Sequence, residues 1–401
     1  MLTATDLGFW ARQASAQPAL PGLGGSAATP PSALPAMSGS TQDSIELSVQ
    51  ARLLLGLIQT LNGGQPPGTG PQIYGPPGIR LTAPGAGSLT GPGNLVAVSG
   101  PDGSPAVAGV EVDPDSTGTA SATTAITPSG GASTEVSAAT GDNRINAYAL
   151  VADRARSASL RVATGGGRDL IAAETTGRLS LEAGAGDDQV AARFGDASEI
   201  DLGEGDNLAT LTGHFGTVRS GKGHDVIAVQ GMGTTVDAGA GNDTVSGAQW
   251  VNAGAGRDSI TLGNADLSML VYRRGDGADE ITLAPVESGV RPGSARPVIG
   301  DESGAIEARA IGMGSWDGFR MDLPAPDEPG HGSAHAALVL RDVTEAEVTA
   351  RLDGTDLTLT LPTKGDSITI HNYTPGRVSF IFDDRANGGG ITGRRMLAGI
   401  G

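Results

Sequence analysis

Between residues 220 and 247 the chain reads SGKGHDVIAVQGMGTTVDAGAGNDTVSG. A Gly-x-Gly-x-Asp phrase ending at Asp225 stands two positions before the branched apolar Ile227, and it returns at Gly239 with Asp243 and Val245 in the same places. Phrases of this form begin at Gly165, Gly184, Gly203, Gly221, Gly239, Gly254 and Gly275, at steps of 19, 19, 18, 18, 15 and 21 residues. A degenerate phrase, ATGDNRI at 139–145, opens the series. A period of this size marks a solenoid.

Each part of the phrase has a chemistry. The paired glycines are Gly165 and Gly167, Gly184 and Gly186, Gly203 and Gly205, Gly221 and Gly223, Gly239 and Gly241, Gly254 and Gly256, and Gly275 and Gly277. They permit positive φ in a tight loop that other residues resist. The loop carbonyls and the closing side chains, Asp169, Asp188, Asn207, Asp225, Asp243, Asp258 and Asp279, offer hard oxygen ligands, which suit Ca²⁺ better than a soft metal. All these positions are candidate metal-site residues. Asn207 keeps an oxygen and lacks the charge, so its site is expected to bind more weakly.

The elements that position these loops follow from the residues around them. The residue two after each closing side chain (Ile171, Val190, Ala209, Ile227, Val245, Ile260, Ile281) is expected to point inward from a short strand. A second short strand, as in LSLEA, EIDL, TVDA and WVNA, precedes each new phrase. One circuit is then loop, strand, opposite turn, strand. Circuits stacked at the inter-strand spacing of about 4.8 Å put the aspartates in a column. Without cations such a column repels itself.

The phrases resemble the repeats-in-toxin (RTX) nonapeptide G-G-x-G-x-D-x-U-x, a Ca²⁺-binding β-helix repeat. The likeness covers residues 139–285, and AGAGNDTVSG is nearest to the consensus. It implies ions seated between loops of successive circuits along one edge. The first glycine of the nonapeptide is replaced throughout, by Thr164, Ala183, Leu202, Ser220, Ala238, Ala253 and Arg274. The opposite turns (RFGDAS, GHFG, QGMGT) lack the motif, so one calcium edge is expected, not two. The 15- and 21-residue steps around Gly254 are expected to distort the ladder. Residues 351–384 resemble the block that follows RTX repeats in many secreted proteins. There Leu357, Leu359 and Leu361 alternate with polar residues, and Ile368 and Ile370 alternate after a PTKGD turn, which is hairpin patterning with one buried face. The family leaves the cell through type I secretion machinery, read from an uncleaved C-terminal signal, so the resemblance implies a secreted, extracellular or surface location.

Composition agrees with a thin-cored repeat. The 401 residues include 64 Gly, 24 Pro, no Cys and only 3% aromatics, the side chains that bury the most area. A net charge of −18 makes nucleic acid and anionic membranes poor partners and a cation a natural one. No run is long and apolar enough to span a bilayer as a helix. Residues 1–40 read as a disordered Ala/Pro/Ser/Gly segment. In 41–64, Leu47, Ala51, Leu54, Ile58 and Leu61 share one face of a short amphipathic helix. Residues 65–138 read as a Pro/Gly/Ser/Thr linker with a few short strands around NLVAVSG, 139–285 as the roll, and 286–401 as a β-rich capping and secretion region. The expected fold is all-β: a parallel β-roll or β-helix solenoid with calcium-binding loops.

Catalytic patterns are weak by comparison. The histidines are His214, His224, His331, His335 and His371; HGSAH lacks the Glu of a zinc-protease helix and reads as a loop. GMGSWDG at 312–318 is not a nucleophile elbow. The pairs Asp187/Asp188 and Asp383/Asp384 read as ordinary acidic surface, and His224 as a solvent-facing loop residue. The expected function is a non-enzymatic secreted protein whose roll folds on extracellular calcium and serves a surface, adhesive or matrix role. The alternatives are an enzyme acting on extracellular polysaccharide, and a subunit that self-associates into a surface layer or filament; cell-surface polysaccharide and further copies of the chain are the expected partners besides calcium ions.

Overall fold

A computed structural model describes residues 72–74, 80–83, 85–98, 106–127, 129–151, 156–262, 267–283, 335–375, 377–384 and 387–394. All the described residues belong to one compact unit. The expected segments 1–40 and 41–64, with the amphipathic helix, lie outside the described residues.

Two 14-stranded sheets share the described chain almost between them. After each phrase the chain runs along the first sheet, turns, and returns along the second, so successive strands of one sheet are a full circuit apart. Arg144–Val151, Leu170–Thr175, Gln189–Asp196, Leu208–His214, Val226–Gln230, Thr244–Ser246, Ser259–Thr261 and Ala278–Thr282 pair in parallel in the first sheet. Ala158–Ala163, Arg178–Glu182, Glu199–Asp201, Thr217–Arg219, Thr235–Asp237, Trp250–Asn252 and Leu267–Arg273 do so in the second. The architecture is nearly all β and compatible with a β-solenoid; the helical residues among those described are 3₁₀, in the turn Glu345–Glu347 and at Asn387.

The core is a thin seam between the sheets. Ile145, Ile171, Val190, Ala209, Ile227, Val245, Ile260 and Ile281 are in register from strand to strand, each at most 3% exposed. Leu181, Ile200, Val218, Val236, Val251 and Leu270 face them from the second sheet, equally buried. A few apolar side chains per strand suffice, such as Ile227 and Val229 of Val226–Gln230, because the pleat sends alternate residues outward. Aromatics in the core are few: Phe194 stands within the roll, and Tyr272, Tyr373, Phe380 and Phe382 lie toward the C-terminal end.

Antiparallel strands close both ends. Residues 86–138, expected to be mostly linker, carry the strands Ala86–Thr90, Gly93–Val98, Ala106–Val112, Ala120–Ile126 and Ala132–Ala138. Gly, Thr and Ser hid them, because alternation with Ala and Val is enough for a sheet whose inner face is this narrow; Ala106, Ala108, Val110 and Val112 are all buried. At the other end Leu357 and Leu359 pair with Ile370 and Ile368, the expected hairpin with one buried face. Its outer strand Thr349–Asp353 bears Arg351 and Asp353, charges that discourage further edge pairing.

The uneven steps do not break the stack. Six positions separate Val245 from Val251, where nine separate Ile227 from Val236, so the short circuit loses its residues at the opposite turn. The long circuit adds residues on both sides, and Ile281 still pairs with Ile260. The expected distortion around Gly254 is therefore absorbed in turns, not in register.

Candidate functional site: the buried aspartate column

Stacking brings the closing side chains of all seven phrases into one column, with Asn143 of the opening phrase at its head. Asn143, Asp169, Asp188, Asn207, Asp225, Asp243, Asp258 and Asp279 are each at most 3% exposed. They are linked rung to rung in a single pattern. The backbone N–H of each donates to Oδ1 of the next: Asn143 to Asp169, Asp169 to Asp188, and Asp188 to Asn207, at 2.8, 2.8 and 3.0 Å. Asn207 to Asp225, Asp225 to Asp243, Asp243 to Asp258 and Asp258 to Asp279 continue it at 2.9, 2.8, 2.8 and 3.1 Å.

The glycines make this stacking possible, and for a reason beyond loop flexibility. A Cβ on Gly223 would run into the carbonyl of Gly205 one rung back, and one on Gly241 into that of Gly223. Both also sit at left-handed φ, 138° and 153°. Gly165 and Gly221 do not have positive φ, contrary to expectation. At Gly221 it is the neighbouring rung that excludes a side chain, with the Gly203 carbonyl oxygen 2.7 Å from where its Cβ would lie. Close approach of backbones, like positive φ, is a glycine role.

The second carboxylate oxygen is left over. Oδ2 of Asp169, Asp188, Asp225, Asp243 and Asp258 is buried without a hydrogen-bond partner. An unpartnered carboxylate oxygen away from water disfavours the charged form. Burial accordingly pushes the carboxyls of Asp188 and Asp243 up to about 7, with like-charged neighbours in the column adding to the effect. Asp258 rises to about 6 and Asp279 to about 8 for the same leading cause, and Asp225 rises as well.

The two asparagines behave differently. The Asn207 amide oxygen accepts the Asp188 N–H as a carboxylate would, and its Nδ2 donates to the carbonyls of Gly205 (3.0 Å) and Gly203 (3.4 Å) of its own loop. The Nδ2 of Asn143 likewise donates to the carbonyls of Gly141 (2.6 Å) and Ala139 (3.3 Å), and also to Asp169 Oδ1 (2.8 Å), while its own Oδ1, at the head of the column, is buried without a partner. The loop carbonyls thus converge on the position that Oδ2 takes in the aspartate rungs.

A second, exposed ladder runs beside the first, and the sequence reading missed it. In four successive rungs the residue just before the closing side chain accepts a backbone N–H from the next rung. Asp187 accepts from Asp206, Asp206 from His224, His224 Nδ1 from Asn242, and Asn242 from Arg257, at 3.0, 2.7, 2.7 and 2.9 Å. His224 is exposed as expected, yet its ring holds a rung in place. The recurrent Asp, Asn and His at this one phrase position was the available signal.

Other expected groups stay apart or fall elsewhere. Asp187 is exposed while Asp188 is buried, so that pair is split between the two ladders. His335 opens the strand His335–Arg341, not a loop, and His331 lies outside the described residues. His371 Nδ1 lies 3.1 Å from Asp356 and Nε2 3.9 Å from Glu280, a cross-strand ion-pair set when the ring is protonated.

Fold and edge together define a class: an all-β chain of stacked parallel circuits, one edge of which buries a column of carboxylates. Set against known proteins, the chain matches no family, no curated protein and no solved structure.

Proposed function

We propose that this is a secreted, calcium-binding protein of the RTX kind, whose roll folds when it meets extracellular calcium and which serves a surface, adhesive or matrix role without catalysis. The observation that carries the reading is the set of five buried, unpartnered Oδ2 atoms in one column. A hard cation suits them, since it would be offered a carboxylate oxygen and loop carbonyls. Among the described residues no three His, Asp or Glu side chains converge as a metal-binding group. Backbone oxygens therefore have to complete the ligand set. Asp169, Asp188, Asp225, Asp243, Asp258 and Asp279 would hold the ions, with the carbonyls of their glycine loops. What calcium supplies there is charge compensation for the column.

Binding coupled to folding stabilises the folded state by mass action. The test is a titration of the full chain from chelator to millimolar calcium, followed by circular dichroism. The reading expects a gain of β signal; an unchanged spectrum removes it. For location, truncation after Asp384 removes the edge strand Ile391–Arg394 and keeps the strand Val378–Asp383 that it pairs with, and it should abolish export in a host equipped with a type I system. The polysaccharide-enzyme alternative has one observation in its favour, the His371, Asp356 and Glu280 grouping. Polysaccharide cleavage that disappears in His371→Ala would establish it.

A further inference from the structure

We infer that Asn207 is a cation-free link of the column, in which the side-chain amide takes the place that an ion takes at the aspartate rungs. The inference rests on the calcium reading for the aspartates alone. Its own basis is the geometry of Asn207.

Asn207 and its neighbours are interchangeable in position: each is buried, and each presents one oxygen to the N–H of the preceding rung. With that oxygen fixed, the remaining atom must point at the loop. In Asn207 it is Nδ2, a donor meeting two acceptors, the carbonyls of Gly203 and Gly205. At Asp243 the same place holds Oδ2, an acceptor, and the matching carbonyls belong to Gly239 and Gly241. Oxygen against oxygen needs something positive between them, whereas an amide brings its own hydrogens. The asparagine rung is complete as it stands; the aspartate rung is not.

The consequence is a column in two blocks. Asp169 and Asp188 lie between Asn143 and Asn207, and Asp225, Asp243, Asp258 and Asp279 lie beyond Asn207. Asn207 separates the charges of the two blocks and fixes the stack in mid-roll before any ion arrives. It is thus not a weakened calcium site but a rung without one.

The test uses three variants of the full chain, Asp243→Asn, Asp243→Ala and Asn207→Asp, each followed by circular dichroism in chelator and through a calcium titration. Asp243→Asn removes a ligand charge yet should make the calcium-free roll more stable, shifting the folding equilibrium by roughly fivefold, the worth of about one hydrogen bond. Asp243→Ala, which cannot donate to the loop, should show no such gain. Asn207→Asp should be less folded in chelator, should need more calcium to reach half-folding, and should bind more calcium in equilibrium dialysis. The inference is overturned if Asp243→Asn is no more folded in chelator than Asp243→Ala, or if Asn207→Asp leaves both the calcium midpoint and the calcium bound unchanged. A parent chain that binds no calcium would remove the calcium reading, while the comparison of the Asn and Ala variants in chelator would still decide the role of the amide.

Discussion

The backbone N–H of Asp225 donates to Oδ1 of Asp243, 18 positions away, at 2.8 Å. That bond makes each aspartate an acceptor for the rung before it and a donor to the rung after it. The column is therefore a structural ladder and a stack of buried acids at once, and the two roles pull in opposite directions as the pH changes.

With calcium chelated, acid should stabilise the roll. The folded-state carboxyls of Asp188, Asp243, Asp258 and Asp279 sit at about 7, 7, 6 and 8, above their ordinary value of 3.8. A raised folded pKa contributes stability that is full below the unfolded value and is lost as the pH rises through the folded one. Thermal melts in chelator should thus give a higher midpoint at pH 5 than at pH 8.5. A midpoint that rises with pH across that window would contradict the buried-acid description.

The rung contacts of the glycines make a graded prediction. Gly275, at φ 96°, has open space where its Cβ would go, so Gly275→Ala should cost roughly 1 kcal/mol for its backbone alone. Gly223→Ala meets the Gly205 carbonyl as well, and should cost roughly 3 kcal/mol. Urea unfolding in calcium measures both, and equal losses would mean that the rungs do not stack this closely.

The seam between the sheets should be sensitive to single side chains. Ile227 is fully buried between Ala209 and Val245 of the adjacent strands. Ile227→Val should lose about 0.5–1.5 kcal/mol and Ile227→Ala about 2–5 kcal/mol by the same urea measurement. A loss under 1 kcal/mol for the alanine would place this side chain outside the core.

The outer ladder should be worth less, because water can replace it. His224→Ala deprives the Asn242 N–H of its acceptor, and the expected loss is about 0.5 kcal/mol. The sharper readout is hydrogen exchange at the Asn242 amide, which should speed up in His224→Ala and stay slow in His224→Asn, where a shorter acceptor remains.

The sequence by itself determined the rung. Two glycines, a closing Asp and a branched residue two positions on are local requirements, set by loop conformation and by the alternation of a strand, so Ile227 and Val245 could be placed inward from the text alone. The hairpin around Leu357 and Ile370 was legible for the same reason. What lay beyond it needed the third dimension. The glycines proved to be dictated by the carbonyl of the previous circuit, at Gly223 by Gly205, a contact some 18 residues distant that no local pattern carries. The antiparallel strands over residues 86–138 were hidden because Gly, Ser and Thr read as linker until a neighbouring strand supplies their partners. The uneven circuits kept register because turns, not strands, absorbed the difference. Only tertiary structure could distinguish Asn207 from a poor copy of aspartate, since its amide acquires that meaning from two carbonyls that converge on it when the loop closes.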